Sequence, residues 1–278
     1  MFKTKKSCFL KMLVAAFISV FAMAASGYAV DLNGDWLGEK PEWAPNVSGG
    51  TNFATKYVWR GQLLVDDPCI QPEAAISKWG LTASFWGNYN TRTKKSDDST
   101  ISTQEWTELD FVGDYSFNVG EMADKFGMEA PGFVKPIGFS IGYTYYLFPN
   151  LDWKSKGVDS HEYYLGVSYD TFLKPWFKWY QDVKSGSGAY LQFGIGHTFD
   201  FTHGITADVG MATAYNYHQW TSKKGWSDMN FSGGVNIPVF KYFTIRPNMA
   251  YSLLLDRDTY EGKYGNEFYG GVKVSFAY

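Results

Sequence analysis

The sequence has little cysteine, little excess charge and no second long apolar run. Its 278 residues hold two cysteines, Cys8 and Cys69. Once the N-terminal stretch is removed, Cys69 stands alone, so no internal disulfide holds the mature fold together. Beyond residue 29 nothing approaches the ~20 apolar residues that carry a helix across a bilayer. Lys and Arg number 25 against 28 Asp and Glu, and four of the lysines (Lys3, Lys5, Lys6, Lys11) crowd the N-terminus. The remainder is acidic, without the basic patch that nucleic acid requires. The four histidines, His161, His197, His203 and His218, include no two at metal-ligand spacing. Asp97-Asp98 also lacks the alternating acids of a calcium loop, so neither metal nor cofactor is expected.

What is abundant is aromatic and small. Aromatics make up 19% of the chain, glycines number 29, and mean hydropathy is −0.26. That excludes a disordered chain and a polytopic helical membrane protein. Met1 to Lys11 is basic, Met12 to Ala24 is apolar, and small-x-small triplets follow at Ala22-Met23-Ala24 and Gly27-Tyr28-Ala29. This is the pattern of a secretory leader, with cleavage expected after Ala29. The expected organisation is a leader at 1–29, a periplasmic segment at 30–48 and a β-barrel at 49–278.

Period-two alternation dominates the rest. Ile137, Phe139, Ile141, Tyr143, Tyr145 and Leu147 share one face, with Gly138, Ser140, Gly142 and Thr144 on the other. Leu191, Phe193, Ile195 and Phe199 likewise oppose Gln192, Gly194, Gly196 and Thr198. A third run sets Ile245, Pro247, Met249, Tyr251 and Leu253 against Thr244, Arg246, Asn248 and Ser252. Twelve strands follow: Gly50–Gly61, Cys69–Lys78, Gly80–Asn90, Thr103–Phe117, Lys135–Phe148, Asp159–Asp170, Thr171–Lys184, Ser187–Asp200, His203–Tyr215, Gly225–Pro238, Lys241–Leu254 and Tyr264–Tyr278. At about twice the usual strand length of a soluble domain they suit a tilted bilayer crossing, and a soluble sandwich or lipocalin does not need them. Aromatics near strand ends, such as Tyr57 and Trp59, Tyr143 and Tyr145, or Trp176 to Trp179, are expected at headgroup level.

Connections alternate between long and short. Asn90–Ser102, Pro149–Val158, Asn216–Lys224 and Asp256–Lys263 are expected outside, with Trp79, Phe201-Thr202 and Val239-Phe240 inside. Asn118–Val134 is a long inner exception, with a short helix expected near Glu121 to Phe126. The chain ends on Val272, Val274, Phe276 and Tyr278 alternating with Lys273, Ser275 and Ala277. This looks like the terminal signal read by the barrel-assembly machinery. The expected location is therefore the Gram-negative outer membrane after Sec export, with outer-membrane lipid around the wall.

Tyr57-Val58-Trp59-Arg60-Gly61, Ile70-Gln71-Pro72, Gly80-Leu81, Trp86-Gly87-Asn88 and Thr107-Glu108-Leu109-Asp110 before Tyr115 resemble the TorF-type porins of Gram-negative bacteria. The resemblance covers about a quarter of the chain. It implies a small outer-membrane barrel with a porin role, and it brings no catalytic or ligand residues with it.

Inward alternation proposes pore-lining residues: Lys56, Arg60, Glu73, Glu108, Asp110, Asp114, Glu162, Lys178, Asp208, Arg246, Glu267 and Lys273, with Lys174, Asp170 and Asp182 also inward. Lys56 and Arg60, placed on the first strand, are expected to face Glu73 and Glu267 on its neighbours and hold register. Twelve strands give a backbone radius of roughly 12 Å, between filled eight-stranded and open sixteen-stranded barrels. The expected function is passive diffusion of small hydrophilic solutes, leaning to cations because Glu108, Asp110 and Asp114 share a stripe. One alternative is a barrel enzyme acting on lipid, for which Ser160 and His161 adjoin a loop but no Ser-His pair shares a face. The other is a structural or adhesive barrel with a plugged lumen. Val30 to Asn46 reads as a tail in preference to a plug, because nothing in it alternates. The residues do not determine an oligomeric state.

Overall fold

Alternation over long strands, with turn residues between them, leaves each strand one apolar and one polar face. Closure into a ring then satisfies every edge. The computed structural model describes residues 40–91, 105–149 and 158–278. The expected leader, residues 30–39 and most of the connections at 90–102 and 149–158 lie outside them. The compact unit Pro41–Tyr278 is a closed antiparallel barrel of twelve strands.

The wall comprises β1 (Asn46–Ala54), β4 (Cys69–Lys78), β5 (Leu81–Asn90), β6 (Glu105–Asn118), β7 (Ile137–Leu147), β8 (Ser160–Tyr169), β9 (Trp176–Asp182), β10 (Gly188–Asp200), β11 (Thr206–Tyr217), β12 (Lys224–Phe240), β13 (Phe243–Leu254) and β14 (Glu267–Ala277). Each strand pairs with its wall neighbour in sequence, and β1 closes the ring against β14, from Ser48↔Ala277 to Ala54↔Gly271. The expected helix is α1 (Val119–Lys125), whose first turn is capped by Asn118 Oδ1 accepting from the Glu121 N–H at 3.1 Å.

The outward face is apolar and open. Met249 is 60% exposed and Phe53 54%, with Ile141, Leu165, Val209 and Phe231 exposed alike. A solvent-facing wall this apolar needs lipid around it, so the fold is a transmembrane β-barrel. Rings cluster at both ends of the wall. Tyr143, Tyr145, Tyr163 and His161 pack together at one end, and Tyr242, Phe276 and Tyr278 at the other. His197, between Phe172 and Phe199, sits near the same end as Tyr242.

The first expected strand is corrected. β1 starts at Asn46 and ends at Ala54, so Tyr57–Gly61 is not in the wall. Instead β2 (Tyr57–Trp59) and β3 (Gln62–Val65) pair as a separate hairpin. Arg60 and Gly61 form its two-residue turn, both at positive φ (50° and 78°). That is the requirement of a type I′ hairpin, which glycine meets freely and arginine only under strain. The placement of Tyr57 and Trp59 at headgroup level is corrected with it, since both rings face inward. Trp176 also points inward, while Trp179 lies on the opposite face of β9.

Candidate functional site: the lumen and its hairpin

β1 and β4 are neighbours in the wall, and the chain between them turns inward. Lys56, at the root of the hairpin, forms ion pairs with Glu267 at 2.8 Å and Asp66 at 2.9 Å. Tyr57 donates its hydroxyl to Glu108 at 2.9 Å, and its ring packs 5.2 Å from Trp86. Around these rings Ala54, Tyr57, Val65 and Cys69 form a small apolar core. Cys69 fills space there and is buried. Further in, Trp59 meets Tyr146 edge-on at 6.2 Å.

Arg60, at the tip, reaches the far wall. Its Nη1 and Nη2 donate to Glu162 at 2.7 and 2.9 Å, and Nη1 also donates to Gln219 at 2.5 Å. The guanidinium lies over the rings of Trp59, Tyr180 and Tyr190 at 4.5, 4.2 and 4.6 Å. The carbonyl of the same residue accepts from Tyr260 at 2.6 Å and Ser227 at 3.2 Å. Both ends of one residue are thus held, the guanidinium by β8 and the turn after β11, the carbonyl by β12 and the turn after β13. A bidentate arginine–carboxylate pair with stacked rings is among the more directional contacts available to a protein. Arg60 is 10% exposed and Glu162 1%, while Tyr190, Ser160, Ser227 and Ser252 have no accessible surface. The hairpin therefore closes the half of the lumen nearest the β1–β4 connection.

A β-bulge contributes to this clamp. The β11–β12 register shifts between Thr213 and Tyr215, and opposite the shift Ser227 and Asp228 are consecutive and both buried. Asp228 accepts from Ser227, Ser252 and Tyr190 at 2.8, 3.0 and 3.2 Å. A bulge is how a strand directs two neighbouring side chains inward. Below the hairpin a ladder of polar side chains links residues on five strands: Asn248 to Asn52, Asn52 to Gln71, Gln71 to Asn88 and Asn88 to Thr107.

The other half of the lumen is hollow. A cavity of about 560 Å³ there is lined by Ser168, Tyr169, Asp170, Lys174, Trp176, Lys178 and Tyr180. A second, of about 410 Å³, shares Ser168, Trp176 and Lys178 with it and extends to Ser116, Ser140 and α1. Asp114 accepts from Tyr164 at 2.6 Å and Ser116 at 2.5 Å. Arg246 pairs with Asp208 at 2.5 Å, and Lys273 with Glu73 at 2.5 Å.

Of the charged residues expected inward, Glu73, Glu108, Asp110, Asp114, Glu162, Lys178, Asp182, Asp208, Arg246, Glu267 and Lys273 lie on inward strand positions. Lys56 pairs with Glu267 as expected. Arg60 pairs with Glu162 and not with Glu73, because the hairpin carries it across the lumen. Neither Lys56 nor Arg60 lies on β1. Asp170 and Lys174 sit in the β8–β9 turn at the cavity rim, not in the wall. Asp182 caps the turn after β9, accepting from the Lys184, Gly186 and Ser187 N–H groups. Asp110 Oδ1 is buried without a hydrogen-bond partner. Ser160 donates to Asp182 at 2.7 Å inside the barrel, whereas His161 faces outward on Tyr143, so the two lie on opposite faces. Gln219, Tyr190, Ser227 and Asp228 belong to the clamp and were not anticipated.

No family model and no curated protein sequence matches the chain, so the TorF-type resemblance stands on its quoted residues alone. Among solved structures, an outer-membrane channel from Pseudomonas putida F1 is 9% identical with TM-score 0.49, covering 86% of this chain and 100% of its own. The NanC porin is 14% identical with TM-score 0.45, covering 84% and 99%. OprB from Pseudomonas putida is 10% identical with TM-score 0.40, covering 88% and 97%. Likenesses this weak carry no inference about what the barrel passes or binds.

Proposed function

We propose that this chain is a porin-like channel of the Gram-negative outer membrane for small hydrophilic solutes, seen with its lumen closed by the Tyr57–Val65 hairpin. The observation that carries the reading is the contrast between halves of one lumen. A wall built only as scaffold has no need of a hollow half holding cavities of about 560 and 410 Å³ with charged side chains in their lining. The apolar exterior supports lipid around it, the N-terminal leader supports Sec export, and the terminal Val272, Val274, Phe276 and Tyr278 support delivery through the barrel-assembly machinery. Carboxylates outnumber cations along the inward face, with Glu108, Asp110 and Asp114 on one strand, so the expected selectivity leans to cations. A plugged structural barrel is the second reading, and the buried Arg60 clamp favours it.

Planar-bilayer recording separates the two. Barrel refolded from residue 30 onward should be silent or open rarely. A variant with Lys56–Asp66 replaced by a short Gly-Ser linker should show stable steps with a cation-leaning reversal potential. Silence from that variant, shown to be folded by its heat-modifiable gel mobility, would establish the structural reading.

A further inference from the structure

Strand β9 places Trp176, Lys178 and Tyr180 at alternate positions facing the lumen, and all three line the cavity of about 560 Å³. The neighbouring strands make room for them. Gly194 on β10 pairs with Trp176, and a Cβ there would fall on the indole, so the indole lies flat against the wall. Gly166 on β8 pairs with Lys178; a Cβ there would fall on Ser140 Oγ and press on the Lys178 stem, 3.3 Å away. This packing delivers the ammonium 5.0 Å from the Tyr164 ring centroid.

Lys178 differs from the other cations of the lumen. Lys56, Arg60, Arg246 and Lys273 each hold a carboxylate within 2.8 Å. Lys178 has no ion-pair partner among the described residues. Asp114 acts on it through space, but its two oxygens accept from Tyr164 and Ser116. A half-buried ammonium with no carboxylate in contact, beside an open cavity and a flat indole, is a site that a ligand's negative charge can complete.

We propose that this cavity binds a small monocarboxylate bearing a planar ring, with the carboxylate on Lys178, hydrogen bonds from Ser168, and the ring against Trp176. Lys178 and the rim Lys174 are set against Asp170 in the same lining, a net of one positive charge. That favours a single negative charge over a phosphate, which seeks several donors or a guanidinium fork. In a lumen whose net charge repels anions, such a site selects particular carboxylates. It stands whether or not the barrel conducts, because the cavity lies in the half of the lumen that the hairpin leaves open.

The test is calorimetric titration of the refolded barrel in detergent with benzoate, acetate, benzylamine and inorganic phosphate. Benzoate should bind one to one, acetate and phosphate at least about tenfold more weakly, and benzylamine not measurably. Lys178→Met should weaken benzoate by about 10- to 100-fold, and Lys178→Arg by no more than a few-fold. Asp114→Asn should tighten benzoate, and Lys223→Met, in an extracellular loop, should change nothing. If Lys178→Met does not fold, the contrast between benzoate and benzylamine on the unaltered barrel decides. Equal binding of the two, benzoate binding that survives Lys178→Met, or no benzoate binding would overturn the proposal. Silence from the folded variant with Lys56–Asp66 replaced, with benzoate binding intact, would defeat the channel reading and leave this site standing.

Discussion

Arg60→Met removes the guanidinium that spans the lumen while keeping a long side chain at a positive-φ position. Glycine there would relieve the backbone strain and confuse the result. The exchange leaves Glu162, 1% exposed, with only Tyr146 at 2.9 Å and Gln219 as donors. Breaking a buried ion pair from one side costs about 3–5 kcal/mol, and loss of the three ring contacts adds to it. The wall, closed on itself, does not need the clamp, so the cost falls on the docked hairpin. At about 1.4 kcal/mol per decade the docked-to-undocked ratio should fall by roughly two to three decades. Bilayer recording should show openings in Arg60→Met that the unaltered barrel lacks, and limited proteolysis should cut within residues 55–68. Glu162→Gln should open the barrel similarly, and the double variant should restore much of the closure, because neither charge is then left alone. The reasoning is wrong if Arg60→Met stays closed and protease-resistant, or if the two single effects simply add.

Burial decides the remaining predictions as much as chemistry does. Arg246→Met breaks an ion pair of shorter contact distance, but with both partners about a third exposed, so thermal denaturation should register under about 1 kcal/mol. Gly142→Ala puts a Cβ onto the Tyr164 ring, displacing it from Asp114. A melt of the heat-modifiable form should show a loss of about 1–3 kcal/mol. Phe276→Ser combined with loss of Tyr278 should lower the assembled fraction in outer-membrane preparations far more than Val272→Ala does. Equal fractions would mean the terminal residues act only as wall.

Alternation made most of the wall legible, because period two assigns every residue of a lipid-facing strand to a face. Cys69–Lys78 matches its strand end to end, and the outward set on β7 is the one expected. Alternation failed where the chain leaves the wall. Tyr57 to Gly61 continues the rhythm of β1 through Thr55-Lys56, so it read as strand. The missed signal was Arg60-Gly61 followed by Gln62-Leu63-Leu64-Val65, a glycine-bearing turn between two β-favouring runs. Partners across the lumen were illegible for a different reason. A face assignment places Arg60 and Glu162 inside without saying that a hairpin carries one to the other. Asp228 escaped because a bulge changes the phase of its strand.

The clamp joins residues far apart in the chain. Arg60 meets Glu162 102 positions later and Tyr260 200 later, and Lys56 meets Glu267 211 later. The hairpin is made near the start of the chain, but its seat is assembled from strands added much later. Until those strands are in place the hairpin has nothing to dock against, and an incomplete wall holds a lumen open to water. Sealing must therefore come with or after the final pairing of β1 with β14, so a barrel that stalls before that step is also one that leaks.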